Sequence, residues 1–289
     1  MIRVAVVAHH DHRRAGALAQ QLISWLRAEG HEAWMPASEF VGEPDAGVGA
    51  DRPTADADLV LSLGGDGTML HAVHLLDGAA VPLLGVNLGR LGYLTEVEAD
   101  EAIVREALTN FAAGPDDGGW TFDERMMLEV DIIDHEGVRC ATRRALNEAV
   151  CEKLISGHTV DLLVRIDGEP FTSYAADGLI VSTPTGSTAY SMSARGPIVS
   201  PKHRAILVTP VAPHMLFDRS LVLDPTEMVE IEVSGERTAS VAIDGRAMCT
   251  LERGGVVTCR PSDATARFVR FGRHHYHQVL KAKFGLTDR

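Results

Sequence analysis

The sequence has 289 residues, 45% hydrophobic and 23% charged, which excludes intrinsic disorder and fibrous structure and gives a prior of about two domains. Lysine and arginine number 27 against 40 aspartate and glutamate, a formal net charge of -13. That balance argues against gripping DNA or RNA by phosphate neutralisation and against an anionic membrane surface.

In chain order, Ile2–Ala8 is apolar for too short a run to be a signal peptide and reads as a strand buried on both faces. Arg13–Glu29 carries Leu18, Leu22, Trp25 and Leu26 at helical spacing, and Gly30 follows as a C-cap. Pro36–Ala57, rich in Gly, Pro, Asp and Ala, reads as a mobile surface loop. Leu59–Leu63 and Val81–Val86 are further buried strands. Ala99–Phe111 is a helix with Ile103, Leu108 and Phe111 on one face. This alternation predicts an α/β layer with a parallel sheet.

From about Trp120 short strands take over: Leu128–Ile133, Val160–Ile166, Glu169–Tyr174, Met228–Val233, Ala239–Ile243, Val256–Arg260 and Ala266–Phe271. Asp167-Gly168 is a two-residue hairpin signal, and Ser234-Gly235 a second turn. Arg273–Phe284 reads as helical again. The expected fold is α/β + β: a Rossmann-like nucleotide-binding domain over 1–117, with 273–289 packing back on it, and an all-β sandwich over 118–272. Cys140, Cys151, Cys249 and Cys259 show no metal-ligand spacing and read as reduced, mostly packed thiols. No stretch reaches the roughly 20 apolar residues of a membrane span, so a cytoplasmic location is expected.

Four motifs carry chemistry. In Gly64-Gly65-Asp66-Gly67-Thr68 a buried strand meets a helix N-terminus. Its glycines allow close backbone approach, and the helix amides suit phosphate, marking Gly64, Gly65, Gly67 and Thr68. A carboxylate beside phosphate needs a task, and for Asp66 that is accepting a proton from a hydroxyl or orienting a metal-bound nucleotide. The bland alternative makes Asp66 a helix cap. Neither the Walker A pattern nor the dinucleotide fingerprint is present. Gly85–Leu94 follows the next strand, at the edge where open sheets bind ligands, and Tyr93 could stack on a base. Asn147-Glu148 could read a sugar diol or an amide; an exposed polar dipeptide is the alternative. Asp177–Ser193 combines hydroxyls, amides and Tyr190 in a way that suits a nucleoside with its phosphates; a Ser/Thr turn and cap is the alternative.

In this order, these residues resemble the NAD kinase family. Pro210–His214 and Ile243-Asp244-Gly245 extend the likeness, which spans Leu59 to about Phe284. The Gly-Gly-Asp-Gly-Thr motif is shared with phosphofructokinases and lipid kinases, whereas Thr183–Tyr190 is far more specific. The resemblance implies transfer of the γ-phosphoryl of ATP to the 2′-hydroxyl of the adenosine ribose of NAD, giving NADP. It implies a divalent metal, usually Mg2+, and a homodimer or homotetramer. Asp66 matches the proton acceptor and Gly67 a neighbouring NAD contact. Asn147 and Glu148 match the pair on NAD hydroxyls. Asp177, Thr188, Ala189, Tyr190, Ser191 and Ser193 match the pocket for its bases and sugars. Ala212 and Arg246 match further nucleotide contacts. His158, which follows the Asn147-Glu148 segment, could lie near the NAD site across a subunit interface or away from it.

Departures from the pattern are His71 where many relatives carry Arg, Arg195 for Gly, Ser220 for Pro, Met215 for a small residue and Arg246 for Gln. His9, His10 and His12 face either phosphate or solvent. His274, His275 and His277 read as solvated or interfacial, and Trp25, Met126 and Met127 as core or interface. A lipid or sugar kinase and a non-catalytic dinucleotide sensor remain open, as does polyphosphate as the donor.

Overall fold

The computed structural model describes residues 1–9, 13–36, 52–89, 91–272 and 276–286. Two compact units divide the chain. One holds Met1–Glu124 with Ala266–Arg289, the other Arg125–Thr265.

The first unit is an α/β layer. Strands β1 (Arg3–Ala8), β2 (Glu32–Trp34), β3 (Leu59–Gly64) and β4 (Leu83–Asn87) pair in parallel in the order β2-β1-β3-β4. β3 is buried at every residue, as a strand covered on both faces must be. Around this sheet lie α1 (Arg13–Ala28), α2 (Asp66–Leu76), the short β5 (Val97–Glu98), α3 (Glu101–Ala113) and α4 (Pro115–Gly118). Gly30 takes φ 80°, as expected beyond a helix end. In α3 the buried stripe is Val104, Ala107, Leu108 and Phe111, so Ile103 does not share the apolar face and is 43% exposed. The i, i+3, i+4, i+7 set starts one residue later than expected, and Asp100 caps the helix by accepting the N–H groups of Ala102 and Ile103.

Most of the expected loop over 36–57, and His10, His12, His274 and His275, lie outside the described residues. The described end of that loop is packed: Thr54 opens a 3-10 turn, is buried, and its hydroxyl donates to the Leu75 carbonyl at 3.0 Å.

The second unit is a β-sandwich. One sheet holds β9 (Val160–Ile166), β10 (Glu169–Ala176), β14 (Val229–Val233) and the first part of β17 (Val256–Arg270), with β6 (Thr121–Ile133) pairing β7 (Arg139–Ala145). The other holds, in order, β13 (Leu221–Leu223), β12 (Ile206–Val211), β11 (Gly178–Ser182), β8 (Glu148–Lys153), β15 (Ala239–Ile243) and β16 (Arg246–Leu251). Leu128, Val130, Leu162, Val164, Tyr174, Leu179, Val181, Val208 and Val241 fill its core. Asp167 and Gly168 take φ 51° and 82°, the primed turn that Asp-Gly selects between β9 and β10.

The Ser234-Gly235 turn carries the chain from one sheet to the other, since β14 pairs with β9 and β17 while β15 pairs with β8 and β16. One expectation fails here: Val256–Arg260 and Ala266–Phe271 are not separate strands. β17 runs unbroken past Pro261, and Ser262 accepts the Ala264 N–H at 3.1 Å within it. All four cysteines are free thiols, with Cys151 and Cys259 buried and Cys140 exposed. Met126 and Met127 are core residues, and Trp25 packs partly buried on the first core.

The end of β17 returns to the first unit, where Phe268 pairs with Leu83 of β4. Arg270 there is 2% exposed. Its guanidinium meets Glu96 at 2.9 Å and Asp123 at 3.3 Å and donates to the carbonyls of Leu94 and Thr95 at 3.2 Å. The side chain thus fixes the far end of the loop after β4. Arg270→Ala would take a buried guanidinium away from two largely buried carboxylates and two carbonyls, and a loss of about 3 kcal/mol in a urea titration is expected; a change below about 1 kcal/mol would contradict this account.

Candidate functional site

In the first unit the glycine turn sits at the C-terminal end of β3. α2 begins at Asp66, not at Thr68, with Gly65 as N-cap. Thr68 is buried, and a Cβ on Gly64 would lie 2.1 Å from its Oγ1. The Thr68 hydroxyl therefore packs beneath the turn and is not presented outward. Gly67 is exposed on the first turn of α2, and His71 lies one turn on, half-buried.

Asp66 caps nothing in its own helix. Its Oδ2 accepts the Tyr93 N–H and its Oδ1 the Leu94 N–H, both at 2.9 Å. Gly92 makes this approach possible, since a Cβ there would meet Oδ1 at 2.3 Å. The carboxylate pins the loop after β4 and still leaves 33% of its side chain exposed. The Tyr93 ring tilts against Tyr276, with centroids 6.1 Å apart. Burial, then the neighbouring Tyr276 and the charge on Asp66, raise the Tyr93 hydroxyl above its ordinary pKa.

In the second unit Asn147 and Glu148 stand at the start of β8. Asp244 assembles the turn: its Oδ2 accepts the Leu146 N–H at 2.8 Å, and its Oδ1 those of Asn147 at 2.8 Å and Glu148 at 2.9 Å. Asp244 and Gly245, at φ 47° and 76°, form the two-residue turn that leads to exposed Arg246. The 183–186 turn locks onto the same segment. The Thr183 N–H donates to the Asn147 carbonyl at 2.9 Å and the Thr183 hydroxyl to that of Leu146 at 2.6 Å. Gly186 approaches so closely that a Cβ would sit 2.1 Å from the Asn147 oxygen.

Glu148 is buried and its Oε2 has no hydrogen-bond partner. Burial, reinforced by the charge on Asp244 and opposed by the Tyr190 N–H, pushes its carboxyl up to about 8. At neutral pH it is mainly an acid that can both donate and accept, which suits a sugar hydroxyl pair.

Tyr190 is exposed and reaches Glu152 at 3.4 Å; burial and the carboxylates of Glu152 and Asp177 raise its pKa. Asp177 pairs with Lys153 at 2.6 Å. Lys153 and His158 line one cavity of about 320 Å³ with Leu154, Ile155 and Arg237. Thr188 and Ala189 are half-buried and Ser193 exposed, around the short α5 (Tyr190–Ser193). Ser191 faces inward, 3.1 Å from the buried Thr209 hydroxyl. Ala212 has φ 44°. Arg195 is exposed at φ 63°, a left-handed position that glycine fills without strain, and Met215 packs on the sandwich core.

Asp244, Arg270 and Lys153 went unassigned in the sequence, where only the Asp-Gly turn hinted at the first of them. Among the described residues no three His, Cys, Asp or Glu side chains gather to hold a metal ion.

Residues 4–115 match the family described as ATP-NAD kinase N-terminal domain, and residues 146–271 the ATP-NAD kinase C-terminal domain. A relative named NAD kinase from Syntrophotalea carbinolica is 35% identical over 292 positions, covering all of both chains. Another from Heliobacterium modesticaldum is 37% identical over 98% of each. Yeast NADH kinase complexed with NADH superposes with a TM-score of 0.84 at 25% identity, over all of this chain and 89% of that one. An NAD kinase from Archaeoglobus fulgidus in complex with ATP gives 0.73 at 23% identity over 99% of this chain and all of that one, a likeness of fold.

The carboxyl of Glu148 yields a pH prediction. The folded chain keeps its proton to about 8, whereas the free carboxyl loses it near 4.5. Between those values the native state binds the extra proton, so its stability falls as pH rises. Glu148→Gln, neutral throughout, should lose less melting temperature than the parent from about pH 5 to about pH 8. Parallel melting curves across that range would refute the burial argument.

Proposed function

The chain belongs to the NAD kinase family and has its activity, the phosphorylation of NAD to NADP, and we propose that Asp66 is the group that takes the proton from the acceptor hydroxyl. One observation carries this assignment: Asp66 is a part-exposed carboxylate fixed by two backbone N–H groups, at a glycine turn that opens a helix. Held that way its orientation is set by the backbone, and its exposed part can accept a hydroxyl proton. Phosphoryl transfer asks a protein mainly for positioning and for charge stabilisation. The backbone amides of the turn around Gly64, Gly65 and Gly67 supply the first unit's share of that stabilisation.

The second unit supplies nucleoside recognition in this reading. Asn147 and neutral Glu148 take ribose hydroxyls, while Asp177, Thr188, Ala189, Tyr190 and Ser193 surround base and sugar, with Arg246 and Ala212 at the margin. Ser191 and Thr68 serve by packing. ATP is the donor, in keeping with the family's description, and a divalent metal arrives on its phosphates. NADH is a second acceptor to test, given the yeast relative's name. The assembly proposed is a homodimer or homotetramer. Exposed Leu216, Phe217 and Val222, with Phe171 edge-on to Phe217 at 5.7 Å, give the second unit apolar surface for it. A cytoplasmic location is proposed on the four free thiols. No described helix is long and apolar enough to cross a membrane.

Asp66→Asn should reduce NADP formation at least about 100-fold, with NAD still bound in calorimetry. The amide retains one acceptor for the 93–94 N–H pair and places its NH2 against the other, so the loop after β4 should loosen in hydrogen exchange. Turnover near the parent's would remove Asp66 as the proton acceptor. In the parent, a donor panel of ATP, other nucleoside triphosphates and polyphosphate separates the donors, and NAD binding without NADP from any of them would return the sensor reading.

A further inference from the structure

Residues 264–289 carry six Lys and Arg against one Asp, in a protein that is otherwise strongly acidic. One of these cations reaches the catalytic turn. Helix α6 (Tyr276–Lys283) buries only Val279 among its residues. Its first residue packs its ring against Tyr93, and its last residue, Lys283, places Nζ 4.1 Å from the centroid of the same Tyr93 ring. That ammonium lies 3.6 Å from Oδ2 of Asp66. The helix is thus clamped at both ends on the loop that Asp66 holds, and the clamp delivers a positive charge to the carboxylate.

Stability does not explain this arrangement. Lys283 and Asp66 are 28% and 33% exposed, and an ion pair of that kind contributes little to folding while the lysine loses rotamer freedom. The ring beneath the ammonium restricts where it can go. The reaction, however, brings two polyanions to a carboxylate. An uncompensated Asp66 would repel the nucleotide phosphates during the approach of the very hydroxyl it must serve.

We propose that Lys283 is a positioning residue for phosphoryl transfer, acting through Asp66: held over Tyr93, its ammonium neutralises and aims the carboxylate so that Asp66 can receive the acceptor hydroxyl beside bound phosphates. The inference rests on the reading of Asp66 as proton acceptor. It makes α6 a working part of the site, and it assigns the basic C-terminal segment a role that charge count alone does not specify.

The test uses the full chain with Lys283→Met, Lys283→Arg and Asp66→Asn, each measured for kcat, KM for NAD, KM for ATP and melting temperature. Lys283→Met should lower kcat about tenfold or more, with both KM values within about threefold of the parent. Lys283→Arg, which keeps the charge, should recover most of that loss. The melting temperatures of both variants should stay near the parent's. A Lys283→Met enzyme with parental kcat, beside an inactive Asp66→Asn, overturns this inference and leaves the Asp66 reading standing. An active Asp66→Asn overturns the Asp66 reading itself. A rise confined to KM for ATP, or a loss that arginine does not recover, also overturns it, because Lys283 would then act on the donor or by its shape alone.

Discussion

A carboxylate that accepts backbone N–H groups from a distant loop is the interaction on which both halves of this enzyme depend. Asp66 takes the N–H groups of Tyr93 and Leu94, across 27 and 28 residues. Asp244 takes those of Leu146, Asn147 and Glu148, across 98, 97 and 96. Unpaired backbone donors shut away from water are costly, and an ionised oxygen is the strongest acceptor available to them. Each aspartate therefore does locally what a sheet ladder does elsewhere, and fixes a loop that has no ladder of its own. The two differ in what remains. Asp244 is buried, whereas Asp66 is part-exposed, and that difference suits the first to a scaffold role and the second to the reacting role proposed for it.

Charge is handled by local arrangement rather than by the total. A protein at -13 has no long-range attraction for nucleotides. The structure meets this in three ways. Burial favours the neutral form of Glu148, so the pair proposed to take the sugar hydroxyls carries less repulsion than its composition suggests. Arg270 is buried against Glu96 and Asp123 and serves the backbone of the 94–96 segment. Lys283 stands 3.6 Å from Asp66, the carboxylate that in the proposed mechanism works beside phosphate. Burial decides which of the three roles a charged residue takes.

The sequence made the layers legible because they rest on short-range patterns. Apolar runs at Arg3–Ala8 and Leu59–Gly64, helical spacing in Arg13–Ala28 and the Asp167-Gly168 turn each state their structure within a few residues. Where a local pattern misled, tertiary pairing had overridden it. Pro261 looks like a strand break, yet β17 continues through it. The Ser234-Gly235 turn is legible, but not that its flanking strands join different sheets. In the site, the glycine turn and Asn147-Glu148 were visible as motifs, and so was Asp66, though not what Asp66 holds. Asp244, Arg270 and Lys283 were invisible as site residues, since each acts on a partner from about 100 to more than 200 positions away, and no local spacing encodes that.

This pattern constrains how the catalytic turn can vary. Gly92 is required by the proximity of Asp66, and Gly186 by that of Asn147, because a Cβ at either would overlap an oxygen. Arg195, by contrast, occupies a left-handed position with its side chain exposed, so what it changes relative to glycine in the backbone is strain at φ 63°. A glycine that serves only φ can be replaced at a modest cost. A glycine that lets a carboxylate touch a backbone cannot, because its replacement moves the carboxylate, and the carboxylate is the chemistry.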